Sequence, residues 1–172
     1  MRGVLFLIAM LLAAPAAAQT APAPSLSERM APFANLVGEW RGTGWFITPQ
    51  GRRAEVISHE SVTVRLSGNA LLVEGRHFEA SQPDRLVHDA LAMLVWDQPR
   101  NGYRMRTQLA TGLGGDFTLE ARPNGFAWGM EIPGARIEYV AEVDGRTWVE
   151  RGTRVTPDGR RTDFLEMRLT RQ

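Results

Sequence analysis

The side chains that could do chemistry in this chain are its three histidines, His59, His77 and His88, and the acids near them. His77 and Glu79 are two residues apart, so in a strand they point to one side and could share a metal ion. His88 and Asp89 are adjacent and point to opposite faces, which prevents them from sharing an ion. Zinc and iron sites need more converging ligands than this spacing offers. We therefore predict no metal site and no cofactor.

Covalent catalysis and phosphate binding find little support in the sequence. The chain has no Cys, and it contains no Gly-x-Ser-x-Gly nucleophile elbow. The glycine-rich run 112–115 falls between strand-like segments, so it lacks the helix N-terminus that phosphate cradles use. We predict a loop there and no catalytic residue. An enzyme remains an alternative hypothesis, in which His88 or His77 acts as a base and Arg104 or Arg106 stabilises a developing anion.

Turn signals divide the chain from Gly38 onwards into ten segments. Asn-Gly and Asp-Gly pairs supply the positive φ angles that tight hairpins need. Several segments alternate apolar and polar residues, which is typical of half-buried antiparallel strands. The nine turns are predicted at residues 49–51, 67–69, 83–84, 99–102, 112–116, 124–125, 133–134, 144–145 and 157–159.

Ten strands in succession predict an all-β fold, an antiparallel up-and-down β-barrel, because closure removes the free sheet edges. We predict one such domain over residues 36–172. Before it, residues 25–28 resemble a capped helix start, and Met30, Phe33 and Leu36 follow at helical spacing. Because Pro32 restricts the helix to a turn or two, we predict a short N-terminal helical plug.

Residues 1–18 read as a secretory signal peptide, with Arg2, a short apolar run and a small-x-small cleavage pattern ending at Ala18. Residues 19–35 then form a Pro- and Ala-rich tether and the short helix. No later run is long and apolar enough to span a bilayer, so no integral membrane association is predicted. Export without Cys suits a bacterial periplasm, so the predicted location is periplasmic or secreted.

The charge balance argues against a nucleic-acid partner. The chain has 20 basic residues, all of them Arg, against 19 acids, and cleavage after Ala18 would remove Arg2. A nucleic-acid binder would show a basic excess or stripe, and this sequence has neither. Its oligomeric state is left open.

Gly38-x-Trp40 opens the first strand, and Arg168 lies in the last segment. On these residues the chain resembles the calycin superfamily: lipocalins, fatty-acid-binding proteins and nitrobindin-like barrels. The resemblance implies that the Trp and a terminal Arg pack together at the closed end, here Trp40 with Arg168. Leu169 and its apolar neighbours have the opposite phase to Arg168, so either face of the last strand could point inward. Arg171 is the less favoured candidate for the arginine that packs on Trp40.

The resemblance also suggests two ligands that these residues do not favour. Nitrobindins bind haem through a His in the C-terminal part of the barrel, whereas no His follows His88 here. Fatty-acid-binding proteins hold a carboxylate with an Arg-x-Tyr pair, and the corresponding span around Arg168 lacks the Tyr.

A ten-stranded barrel has a wider lumen than an eight-stranded one, so some inward residues could line a cavity. Aromatic and Met side chains suit a small apolar or amphipathic ligand. A barrel that binds such a ligand is the favoured hypothesis. An enzyme acting in the same cavity and a ligand-free structural module, with the lumen filled by side chains, are its rivals. The predicted ligand-binding residues are Tyr103, Met105, Phe117, Trp128, Met130, Tyr139 and His88.

Overall fold

The computed structural model describes residues 26–172, and the predicted signal peptide and most of the tether lie outside them. The described residues form ten strands and two 3-10 helices, the plug helix Glu28–Leu36 and a single turn, Leu66–Gly68, between the second and third strands. The strands are β1 Gly38–Ile47, β2 Arg53–Arg65, β3 Ala70–Glu79, β4 Gln82–Asp97, β5 Gly102–Leu109, β6 Gly114–Arg122, β7 Gly125–Ile132, β8 Ala135–Val143, β9 Thr147–Val155 and β10 Arg161–Arg171.

Each strand pairs antiparallel with its neighbours in sequence, and β1 pairs with β10 to close the barrel. The predicted all-β, up-and-down barrel of ten strands is therefore confirmed. Two turns differ. The predicted turn at residues 112–116 is shorter, because β6 begins at Gly114 and its first residues pair with β5. β3 and β4 are joined at Ala80 and Ser81, and Pro83 lies in the first residues of β4. A proline is tolerated there because the start of a strand needs few ladder hydrogen bonds. No helix within residues 26–172 is long and apolar enough to cross a membrane.

The plug helix closes one end of the barrel. Met30, Phe33 and Leu36 are buried, as their spacing predicted. The helix has 3-10 geometry and contains Pro32. The predicted side-chain cap is not found among the described residues, because the N-cap is Ser27 and its backbone N–H donates to the carbonyl of Gly68. The turns that join β1 to β2, β5 to β6 and β9 to β10 lie at the opposite end, which we call the mouth.

The first and last strands approach each other closely at the seam that closes the barrel. A Cβ at Gly42 would lie 2.0 Å from the carbonyl oxygen of Arg168, and one at Gly44 would lie 2.7 Å from that of Glu166. Only glycine allows the backbones to approach this closely. The two glycines therefore permit closure.

Trp40 is fully buried beside this seam, but the arginine that packs on it is not the predicted one. Its indole N–H donates to the carbonyl of Leu36 at 2.7 Å, and the guanidinium over its ring belongs to Arg171. The pairing with Arg168 was wrong because Met167, Leu169 and Arg171 share the inward phase. Arg168 points outward, with a side chain that is 59% exposed, and binds Glu166.

The seam between β6 and β7 is short. Their pairing runs only from Arg122 with Gly125 to Leu119 with Trp128, and the strands part beyond it, towards the mouth. A surface cavity of about 390 Å³ lies there and is lined in part by Trp128, Met130 and Tyr139. These three residues also line the interior cavity, so only a thin wall separates the two spaces.

Candidate functional site

The barrel encloses a cavity of about 430 Å³ that extends from Leu36 of the plug helix towards Leu113 near the mouth. It exists because small residues, among them Gly75, Ala90 and Ala92, occupy inward positions where larger side chains would fill the lumen. Six of the seven residues predicted to bind a ligand line it: Met105, Phe117, Trp128, Met130, Tyr139 and His88.

Tyr103, the seventh, faces the inside of the barrel but lies too near the plug end to reach the cavity. It lies at the plug end, where its ring meets Phe33 edge-on with the centroids 4.8 Å apart. Its hydroxyl donates to the carbonyl oxygen of Arg29 at 2.7 Å. Tyr103 therefore holds the plug helix in place and does not line the cavity.

Aromatic rings form one wall of the cavity. Trp128 and Tyr139 are direct cross-strand partners, as counting from the Pro133-Gly134 turn predicted. Their rings are stacked, with centroids 4.0 Å apart and planes 6° from parallel. Phe117 packs against Trp128 at 5.0 Å. The wall presents flat apolar surface together with the polar edges of an indole and a phenol.

A polar cluster forms the facing wall on β2, β3 and β4. Nδ1 of His77 lies 2.8 Å from Oγ of Ser58, and Nε2 lies 3.5 Å from Oε1 of Glu60. The carboxylate fits because its register partner is Gly75, where a Cβ would lie 2.8 Å from both carboxylate oxygens. The ring of His88 is 5.1 Å from that of His77. These groups converge on one side of an otherwise apolar space.

Both cavity histidines are held in the neutral form near neutral pH. Burial, then the neighbouring His88 and His59, lowers the pKa of His77 to about 4. Burial also lowers the pKa of His88, against the opposing effect of Asp89. A neutral imidazole has one donor and one acceptor nitrogen, and because Nδ1 of His77 is bonded to Ser58, its Nε2 is the nitrogen that it can offer to a ligand.

A second carboxyl group, that of Glu150, lines the cavity beside the aromatic wall. Its Oε2 accepts a hydrogen bond from the indole N–H of Trp148 at 3.3 Å. Burial raises the pKa of Glu150 to about 7, although indole hydrogen bonds from Trp128 and Trp148 oppose the shift. Burial and, to a smaller extent, Glu150 raise the pKa of Glu60 well above its ordinary value. Burial also raises the pKa of the Tyr139 phenol to about 12.

The sequence analysis missed Ser58, Glu60 and Glu150, although a signal was present. Glu60 and Ser58 share the phase of the buried Val56 and Val62 on β2. A polar residue in the apolar phase of a strand points into the core. Applied to Glu150 and its neighbour Trp148, the same rule would have placed this second acid inside the barrel.

No described residues form a metal site. Among residues 26–172 there is no group of three or more His, Cys, Asp or Glu side chains that could hold an ion. Asp89 points outward towards Arg76, 3.8 Å away, while His88 faces the cavity, so the two do not converge, as expected. The residues also do not fit haem binding by the nitrobindin route, because residues 89–172 contain no His.

The alternative catalytic arrangement is not assembled. His77 and His88 face the cavity, whereas Arg104 and Arg106 point outward on β5 and contact Asp116. The Ser58–His77–Glu60 row resembles a nucleophile with its base, but Ser58 is fully buried behind the imidazole and does not line the cavity. Its hydroxyl therefore orients His77 and cannot reach a substrate.

The ten antiparallel strands, the closure of β1 on β10 and the interior cavity together fit a calycin-like barrel fold. The chain is similar to the crystal structure of Rv2717c from M. tuberculosis, with a TM-score of 0.64 and 15% identity over 86% of this chain and 99% of that one. It is also similar to the S-type phycobiliprotein lyase CPES from Guillardia theta, with a TM-score of 0.53 and 12% identity over 81% and 90% of the two chains. No protein-family model and no curated protein sequence matches the chain.

Proposed function

We propose that this protein is exported to the periplasm and binds a small hydrophobic or amphipathic molecule inside its barrel. The observation that carries the proposal is the interior cavity of about 430 Å³. Ligand sites in proteins have volumes of roughly 300–1,000 Å³ and combine apolar walls with a few convergent polar groups. The stacked pair Trp128–Tyr139 faces the polar cluster of Glu60 and His77 in this way.

The surface around the mouth supports an apolar ligand. Ile47 at the end of β1, Leu113 before β6 and Ile132 at the end of β7 are 38%, 69% and 37% exposed. All three lie at the mouth end of the barrel. Exposed apolar side chains around an opening lower the cost of passing an apolar molecule through it. The parted seam between β6 and β7 offers a second route.

The cavity also weighs against the structural-module alternative, in which side chains fill the lumen. No comparable observation favours catalysis, because the outward arginines cannot reach the cavity histidines. The phycobiliprotein lyase has a similar fold, and at 12% identity that likeness extends to the fold alone.

A fluorescence titration with N-phenyl-1-naphthylamine, a neutral apolar fluorophore, tests the proposal. We expect the probe to bind the purified protein and to quench its tryptophan emission. Trp128→Ala should weaken binding about tenfold, which corresponds to about 1.4 kcal/mol, while the far-ultraviolet spectrum stays that of a β-barrel. Trp96→Ala is the matched control, because Trp96 packs against Tyr103 at the plug end and lies outside the cavity.

Two results would contradict the proposal. One is a wild-type protein that binds no probe; the other is equal affinity in Trp128→Ala and Trp96→Ala.

Export is tested separately by the intact mass of the protein from a periplasmic fraction, which should lack residues 1–18.

A further inference from the structure

The charged groups inside the cavity all have one sign. Glu60 and Glu150 line it, and no Arg of residues 26–172 does. Glu166 also borders it, but its two carboxylate oxygens accept hydrogen bonds from Arg151 and Arg168 on the outside of the barrel. We infer that the ligand is an apolar amine or ammonium ion whose charged nitrogen lies between Glu60 and Glu150. This inference rests on the proposed binding function.

Glu60 has the properties of a ligand-binding group. Its side chain is only 7% exposed, yet within residues 26–172 no group donates a hydrogen bond to its carboxylate. The nearest polar atom is Nε2 of His77, at 3.5 Å, beyond good hydrogen-bond distance. A buried carboxyl group without a donor partner is destabilising, and a donor on a ligand in the cavity would supply the missing hydrogen bond.

The surroundings of Glu150 also favour a cation. Trp128, Tyr139 and Trp148 line the cavity next to it. The indole N–H groups of Trp148 and Trp128 donate to its carboxylate, which favours the ionised form of Glu150. A carboxylate held at this apolar wall is suited to pair with an ammonium group on an apolar body.

Burial raises the pKa of Glu150 to about 7 and that of Glu60 well above its ordinary value, so both groups hold their protons more tightly than exposed acids do. An entering ammonium ion favours the ionised forms, and the displaced protons leave to solvent. An anionic ligand would instead face two carboxyl groups without a counter-charge.

Isothermal titration of three ligands that share a decyl chain tests the inference: decylamine, decanol and decanoate at about pH 8, where the amine is protonated and the acid ionised. We expect decylamine to bind at least about tenfold more tightly than decanol, and decanoate at least about tenfold more weakly. Glu150→Gln and Glu60→Gln should each lose that tenfold preference for the amine. Glu142→Gln, a change on the exposed outer face of β8, should retain it.

Decanol binding shows whether each variant keeps an intact cavity, so the two Gln variants remain informative separately. Equal affinity for the three ligands, or an unchanged amine preference in Glu150→Gln with decanol binding retained, would overturn the inference and leave the binding function standing. Absence of binding by all three ligands would overturn both.

Discussion

The guanidinium carbon of Arg171 lies 4.2 Å from the centre of the Trp40 ring, and the two residues are direct partners in the ladder that closes the barrel. Arg171 also donates hydrogen bonds to the carbonyls of Asn35, Val37 and Gly145. One side chain thus joins the last strand to the plug helix, to the first strand and to the turn after β8.

Replacing this arginine should cost far more stability than replacing its neighbour of the same type. Arg171→Ala removes a cation–π contact and three hydrogen bonds from a charged donor, so we expect a loss of about 3 kcal/mol in the free energy of unfolding. Arg168→Ala, the matched control, removes an exposed ion pair and should cost less than about 1 kcal/mol. Urea denaturation of both variants measures the difference, and equal losses would remove Arg171 from this role.

Trp40 itself should be the costliest single truncation at the closed end. It is fully buried, packs edge-on against Trp148 at 5.8 Å and has its indole N–H bonded to Leu36. Trp40→Ala should lower the free energy of unfolding by about 3–5 kcal/mol, as large aromatic truncations in cores do. Thermal unfolding measures this, and a variant that melts within a few degrees of wild type would contradict it.

Glu150 should make the stability of the wild-type protein fall with pH relative to Glu150→Gln. Between the ordinary pKa of 4.5 and the raised value of about 7, the folded state holds a proton that the unfolded state has lost. The contribution of Glu150 to the free energy of unfolding is therefore fully present below about pH 4.5. It is lost as the pH rises through 7, by up to about 3 kcal/mol.

The comparison with Glu150→Gln is needed because His77 acts in the opposite direction. Its pKa is lowered to about 4, so between that value and 6.5 the unfolded state binds the extra proton and stability rises with pH. This contribution is common to both proteins and cancels in the difference. Glu150→Gln also removes the effect of Glu150 on the raised pKa of Glu60, which changes the difference in the same direction. Urea denaturation from about pH 5 to 8 should show the free energy of unfolding of the wild type falling relative to that of Glu150→Gln. A difference that stays constant with pH would mean that Glu150 titrates normally.

The period-two pattern predicted most of the fold and one wall of the site. Trp128 and Tyr139 could be paired by counting from their turn, because a hairpin determines the register of its strands. The pattern shows which face of the sheet a residue lies on but not its position along the barrel axis. The inward orientation of Tyr103 was therefore predicted correctly, whereas its place in the cavity was wrong.

The polar half of the site depends on contacts between distant residues. An acid in a strand ordinarily faces solvent, and Glu60 is buried only because its partner across the sheet is Gly75. Glu150 is similarly placed by indoles from two strands. The phase of both acids along their strands indicates an inward face, but their contacts with Gly75 and with the indoles are not visible before the register of the strands is known.

Filling the cavity tests the central claim, that the lumen is a binding site, most directly. Ala92 lines the cavity on β4, and its neighbour Met93 faces outward on the same strand. N-phenyl-1-naphthylamine should bind the wild-type protein and Met93→Phe alike, whereas Ala92→Phe should lose binding at least about tenfold while still melting cooperatively. Undiminished probe binding by a folded Ala92→Phe variant would contradict the claim and place the probe outside the barrel.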